Sequence, residues 1–156
     1  MIAVKLGNVG KLVDKLKGLR SIIAVGYRAT LNVDDRTLTI LEAQAFMGRN
    51  VTNLTRPQEE ELLRLAVKHI EHARDAVGGW GVQGDAGARA MWLALGELFK
   101  SIMGDKIEDK RPARKRRLTA AYAAWKLKTY GPKPILVASG EMIGDVRGAM
   151  VKVERK

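Results

Sequence analysis

His69 and His72 are the only histidines of this 156-residue chain, and three positions apart they fall on adjacent points of a helix surface, where paired metal ligands can sit. A zinc-binding helix instead places its histidines four apart around a positioned glutamate, and a site needs at least one further ligand; Glu71 and Asp75 lie nearby in sequence only. The pair therefore reads as two solvated helix-face histidines, with no metal. Gly78-Gly79-Trp80-Gly81-Val82-Gln83-Gly84 has the look of an anion-cradling loop. A phosphate loop follows a strand and ends in Gly-Lys-Ser/Thr, whereas this run follows a helical pattern and ends in Gly84-Asp85, whose carboxylate repels phosphate. It reads as a flexible connector between helices, with Trp80 as an anchor for a partner. Ser139 precedes a glycine but lacks the Gly-x-Ser-x-Gly elbow, neither histidine has a context that marks it as a base, and no carboxylate pair stands out as acid and base. No catalytic residue, cofactor site or enzyme is expected.

Charge is the other candidate for chemistry. Lys110, Arg111, Arg114, Lys115, Arg116 and Arg117 pack six cations into eight positions with no acidic residue among them. Their mutual repulsion is relieved by a polyanion or an acidic partner, and a solvated face is the competing reading. No base-reading motif frames the block, so contact with DNA would be electrostatic and blind to sequence. The whole chain carries a formal charge of +11 at 46% apolar composition, enough apolar content for one domain over residues 1–156 with its own core. It has no cysteine, which excludes disulfides and thiolate chemistry and suits a reducing compartment. The N-terminal Met1-Ile2-Ala3-Val4-Lys5-Leu6 has neither the long apolar run nor the cleavage pattern of a secretory signal, and no window reaches the roughly 20 apolar residues of a membrane span. The Asn-x-Thr triplets at Asn50 and Asn53 are then loop polarity rather than glycosylation sites.

The elements that must carry these residues follow from periodicity. Ile2–Leu6 alternates as a short strand, and Val9, Leu12, Val13, Leu16 and Leu19 recur at helical spacing. Residues 22–31 and 36–47 flank the turn-prone Asn32-Val33-Asp34-Asp35 and predict a hairpin, although Leu41–Phe46 also admits a helical turn because Glu42, Ala43, Gln44 and Ala45 are poor strand formers. Thr55 with Gln58 makes a capping box for a helix with Leu62, Leu63, Ala66, Val67, Ile70 and Ala73 as its buried stripe, ended by Gly78-Gly79. A second long helix is expected from Asp85 to Gly104, burying Ala88, Met91, Trp92, Leu95, Phe99 and Ile102. Pro112 and the charge density predict an exposed basic loop or arm at about 105–117. Residues 118–128 suit a short helix anchored by Tyr122 and Trp125, residues 139–144 one helical turn capped by Ser139, and residues 146–153 a closing strand. The expected fold is α+β: a small antiparallel sheet, made of the hairpin and the terminal strands, packed against two long helices with extended loops.

Three stretches resemble the virion-morphogenesis, or tail-completion, proteins of tailed bacteriophages. They are Ala24-Val25-Gly26-Tyr27; the succession from the capped helix at Thr55 through Ala90-Met91-Trp92-Leu93-Ala94-Leu95-Gly96 to Ile102 and Ile107; and the run from Leu118-Thr119 through Trp125-Lys126 to Pro134-Ile135-Leu136-Val137-Ala138-Ser139-Gly140-Glu141-Met142. The last is similar to the family's Pro-Leu-hydrophobic-x-Thr/Ser-Gly-x-Leu/Met segment. It departs from the family downstream, where Ile143-Gly144-Asp145-Val146 stands in place of Arg and Ser-Ile, and the family's proline-rich lead into the long helix is reduced to Thr55-Arg56-Pro57. The resemblance implies a non-catalytic neck subunit in the virion, assembled in the bacterial host cytoplasm. Its implied partners are copies of itself in a six-fold ring, the head connector or adaptor, and the tail terminator or tail tube, with nonspecific contact to packaged DNA and no membrane. Rings are built from a heterologous interface, one patch meeting a different patch on the next copy. A small sequence-nonspecific nucleic-acid-binding protein is the alternative, distinguished by tight binding as a monomer with a steep salt dependence.

Overall fold

Ile2–Ala3 (β1), Tyr27–Asn32 (β2) and Met150–Arg155 (β3) form one antiparallel sheet with β2 in the middle. The computed structural model describes residues 2–3, 27–75, 79–109, 119–133 and 139–155; for 73–85 it describes only the backbone positions within these spans. Leu31 faces Ile2 on one side and Val151 on the other, while Arg28 faces Glu154. That last cross-strand pair closes as an ion pair of 3.0 Å, the arrangement in which opposite charges across a ladder favour one register. As the central strand, β2 buries Tyr27, Ala29, Thr30 and Leu31 and exposes Arg28 and Asn32.

The hairpin expected over residues 22–47 does not form. Its first arm supplies β2, but the second arm is the helix Asp35–Phe46 (α1), and β2 pairs with the two terminal strands instead. Asp34 decides this locally: its backbone is extended and its side chain accepts a 2.7 Å hydrogen bond from the Thr37 N–H, closing a helix N-terminus where a turn was expected. At the other end the Gly48 N–H donates to the Ala45 carbonyl and the Arg49 N–H to that of Gln44, with Gly48 at φ +80°. This is the paired closure that terminates helices at a left-handed residue, for which glycine has no Cβ penalty.

Arg56–Asp75 (α2) and Gly79–Glu108 (α3) are the long helices, of 20 and 30 residues; Ala120–Tyr130 (α4) and Glu141–Gly148 (α5) complete five helices among the described residues. The α+β class therefore holds, with two long helices and three shorter ones. Of the expected capping box at α2, the structure shows the glutamine half, in which the Gln58 Oε1 accepts from the Thr55 N–H at 2.9 Å. Of its expected stripe, Leu62, Ala66 and Ile70 are buried, and Leu63 and Val67 are half-buried. Helix α3 begins six residues earlier than expected: the glycine-rich run from Gly79, including the backbone of Trp80, is its first two turns rather than a connector. It also runs past Gly104, so Asp105–Glu108 is helix rather than the start of an arm, held by the buried Ile107. Helix α5 makes two turns rather than one, and the expected closing strand starts at Met150, because Val146 is a buried helical residue. The expected helix over Val9–Leu19 lies outside the described residues.

The chain divides into two compact units, one of Met1–Asn32, Leu54–Phe99 and Met150–Lys156, the other of Val33–Asn53 and Lys100–Ala149. In the first, the sheet accompanies α2 and the greater part of α3, and Ala88, Met91, Leu95 and Phe99 are buried at helical spacing. Met91, Leu95 and Phe99 each contribute about 1.5–3 kcal/mol by that burial. Gly96 lets α3 press against Val151 of β3. In the second unit, α1 packs on α5. The Asp34 N–H donates to Asp145 Oδ2 at 3.0 Å, Arg36 approaches Glu141 at 3.5 Å, and Lys106 Nζ donates to the Asn53 carbonyl. Leu41, Ile102, Met103, Ile107, Met142 and Val146 are among its buried apolar side chains.

Candidate interaction surface

Helix α4 is built largely from alanine and aromatic residues, Ala120-Ala121-Tyr122-Ala123-Ala124-Trp125-Lys126-Leu127-Lys128-Thr129-Tyr130. The Thr119 hydroxyl caps it by accepting from the Tyr122 N–H at 3.3 Å, and Gly131, at φ +74°, closes it through a bond from its N–H to the Leu127 carbonyl. Composition of this kind buries itself in a globular protein. Here the opposite holds: Tyr122, Trp125 and Leu127 are 44%, 50% and 59% exposed, and the single buried residue of the helix is Lys126. Tyr122 and Trp125, expected as the anchors of this helix, are thus exposed, and Trp92 in α3, expected to be buried, is half-buried.

The exposed rings are organised. Tyr122 and Trp125 lie with centroids 5.3 Å apart at 35°, and Trp125 and Tyr130 meet edge to face at 5.6 Å. Both separations fall in the range where aromatic pairs attract beyond their burial. The surroundings are cationic: burial pushes the Lys126 ammonium below its ordinary 10.5, and the neighbouring charges of Arg49 and Lys133 push it the same way. From Thr119 to Lys133 the sequence holds no carboxylate. A fixed aromatic cluster with cations beside it can hold an apolar surface that carries negative charge; it has no group that transfers a proton or attacks a substrate.

A second exposed apolar site lies on α1. Phe46 is 89% exposed, and by helical spacing it shares with Asp35, Thr39, Glu42 and Ala43 the face opposite Thr37 and Leu41, the residues α1 buries. Elsewhere in the same unit Arg147 forks between Asp105 Oδ1 at 3.1 Å and Glu108 Oε2 at 2.5 Å, which raises its pKa further, and Gly104 lets the guanidinium lie close over the last turns of α3.

Of the residues singled out by sequence, Lys110, Arg111, Arg114, Lys115, Arg116 and Arg117 lie outside the described residues, as does the side chain of Trp80. His69 is half-buried on α2 and His72 exposed; burial, and then the charges of His72 and Lys68, lower the His69 pKa below 6.5. No three His, Cys, Asp or Glu side chains converge on a metal position among the described residues, and no helix there is long and apolar enough to cross a membrane. Sequence reading missed Phe46 and the outward side of α4. The available signal was the lack of any polar face in Ala120–Trp125. Comparison with protein-family models, with curated proteins and with solved structures gives no match to this chain.

Proposed function

We propose that the chain is a non-catalytic structural subunit of a tailed-bacteriophage virion, a tail-completion or neck protein that assembles with copies of itself between the head connector and the tail. The observation that carries this reading is the exposed aromatic and aliphatic side of α4. An 11-residue helix is marginal in water by itself, and one that leaves a tryptophan, a tyrosine and a leucine exposed gains its stability from a surface laid against it. The run Pro134–Met142, with its Ser139-Gly140 junction, supports the family resemblance. The charge of +11 suits a place beside packaged DNA or an acidic connector.

The test is removal of the protein from a particle-producing system. Unjoined heads and tails should accumulate, and the protein supplied in trans should restore joined, infectious particles. Joined particles of normal yield in its absence refute the reading. The net charge favours one competitor, a sequence-nonspecific nucleic-acid binder. Filter binding of duplex DNA over a salt series distinguishes it, because that competitor requires tight binding by the monomer with a steep salt slope.

A further inference from the structure

The second unit carries two exposed faces of opposite charge, an alanine and aromatic one on α4 and an acidic one on α1 with Phe46 as its apolar side chain, and no described residue covers either. On α4, Ala121, Ala124, Trp125 and Lys128 recur at positions i, i+3, i+4 and i+7 on the side turned away from the buried Lys126. On α1, Asp35, Thr39, Glu42 and Phe46 share the outward side. The α4 side is cationic, with Lys128 on the helix and Lys133 just beyond it, and the sequence from Thr119 to Lys133 contributes no acid. The α1 side offers Asp35 and Glu42, while the one cation of that helix, Arg36, leans toward Glu141 of its own chain at 3.5 Å.

We infer that the α4 face of one copy docks on the α1 face of the next, a heterologous contact that gives the assembly proposed above, on which this inference rests, its subunit interface. The two patterns match in antiparallel register. Phe46 set over the shallow ledge of Ala121 and Ala124 beside Trp125 brings Glu42, one turn back on α1, alongside Lys128, one turn on along α4. The alanines permit close approach, the two aromatics supply the anchors that dominate association energy, and the ion pair fixes the direction. Single-stranded nucleic acid fits the same face less well. The Trp125 ring is already engaged by Tyr122 and Tyr130, and the aliphatic ledge offers nothing to a phosphate. Because each copy has one face of each kind, the contact repeats from copy to copy and produces a ring where the rotation closes.

The test uses sedimentation velocity on the purified full-length chain over a concentration series. The parent should self-associate reversibly, and Phe46→Asp or Trp125→Asp should each weaken association by ~30-fold or more, as the loss of an anchor does. Both residues are exposed, so circular dichroism of the variants should match the parent. Mixing the two variants is decisive: Phe46→Asp keeps an intact α4 face and Trp125→Asp an intact α1 face, so the mixture should form a one-to-one dimer and nothing larger. Glu42→Lys and Lys128→Glu should each weaken association and together restore it. A parent that stays monomeric overturns the inference, as does a variant mixture that stays monomeric. A parent that assembles regardless of both substitutions overturns this interface and leaves the assembly reading standing, whereas failure of the head-and-tail joining test removes that reading whatever the protein does in solution. Binding of a labelled oligo-dT by the parent, lost on Trp125→Asp without any self-association, would assign the face to nucleic acid and overturn the inference.

Discussion

A Cβ on Gly96 would stand 2.4 Å from one γ-carbon of Val151 and 3.3 Å from the other, so α3 and β3 meet where no side chain other than hydrogen fits. The valine is a short branched residue on a strand and has little freedom to withdraw. Gly96→Ala removes a helix-interior glycine, worth about 1 kcal/mol of propensity, and adds an overpacked contact costing about 1–3 kcal/mol. The clash is severe enough for the second effect to win, and a net loss of ~1–2 kcal/mol is expected from a lowered urea midpoint. Val151→Ala in the same chain should recover part of it, a coupling that a double-mutant cycle reads directly. A Gly96→Ala variant more stable than the parent would place the helix farther from the strand.

Asp34 ties two elements of the second unit together. Its side chain caps α1 through the Thr37 N–H, and its own N–H donates to Asp145 on α5. Asp34→Ala loses the cap and keeps the backbone bond, so the expected cost is about 1 kcal/mol, while Asp34→Asn should retain most of the stability. Equal midpoints for the alanine variant and the parent would mean that the cap contributes nothing.

The same residue shows where sequence reasoning went astray. Thr37, Thr39 and Ile40 are β-branched and sit beside a polar cluster, which favours a hairpin on composition. Both ends of a helix were nevertheless written there, an aspartate followed by a second acid at Asp34-Asp35 and, fourteen residues on from Asp34, a glycine at Gly48. Local caps outweighed propensity. Elsewhere periodicity was the stronger signal: the Thr55 capping box and the burial of Leu62, Ala66, Ile70, Met91, Leu95 and Phe99 were legible because apolar spacing and end signals agreed. The start of α3 was not legible, since glycine propensity argues against helix from Gly79 to Gly84. The interaction surface was half legible. Tyr122 and Trp125 stood out as anchors, but an apolar helix without a polar face looks the same in sequence whether it is buried in its own fold or left for another surface.

His69 gives the first unit a pH response. Burial, then His72 and Lys68, hold its pKa below the 6.5 of an unfolded chain. On acidification the unfolded state therefore takes up this proton first, and stability present above pH 6.5 is lost as the pH falls toward the folded-state value. His69→Gln should remove that part of the decline while leaving the steeper loss caused by carboxylates at lower pH. Urea midpoints of parent and variant compared between pH ~7 and ~5 check this, and parallel curves would mean that His69 titrates alike in both states.

Lys126 gives the second unit a response of the same sign at alkaline pH. The Lys126 side chain is buried near Arg49 and Lys133, and Lys106 is half-buried; desolvation lowers both pKa values below 10.5. Between the folded value and 10.5 the unfolded chain holds more protons than the folded one, so stability rises with pH across that window and is flat below it. Replacing Lys126 by methionine keeps the long aliphatic stem and removes the charge. As the pH rises from ~7 to ~10 the parent should gain stability relative to the variant, because it sheds the penalty of the buried ammonium. Lys106 remains in both proteins, so its contribution cancels in the comparison. A gap unchanged from pH ~7 to ~10 would mean that the fold accommodates the Lys126 ammonium as well as water does, and that the cation cluster beside Trp125 exerts no strain on it.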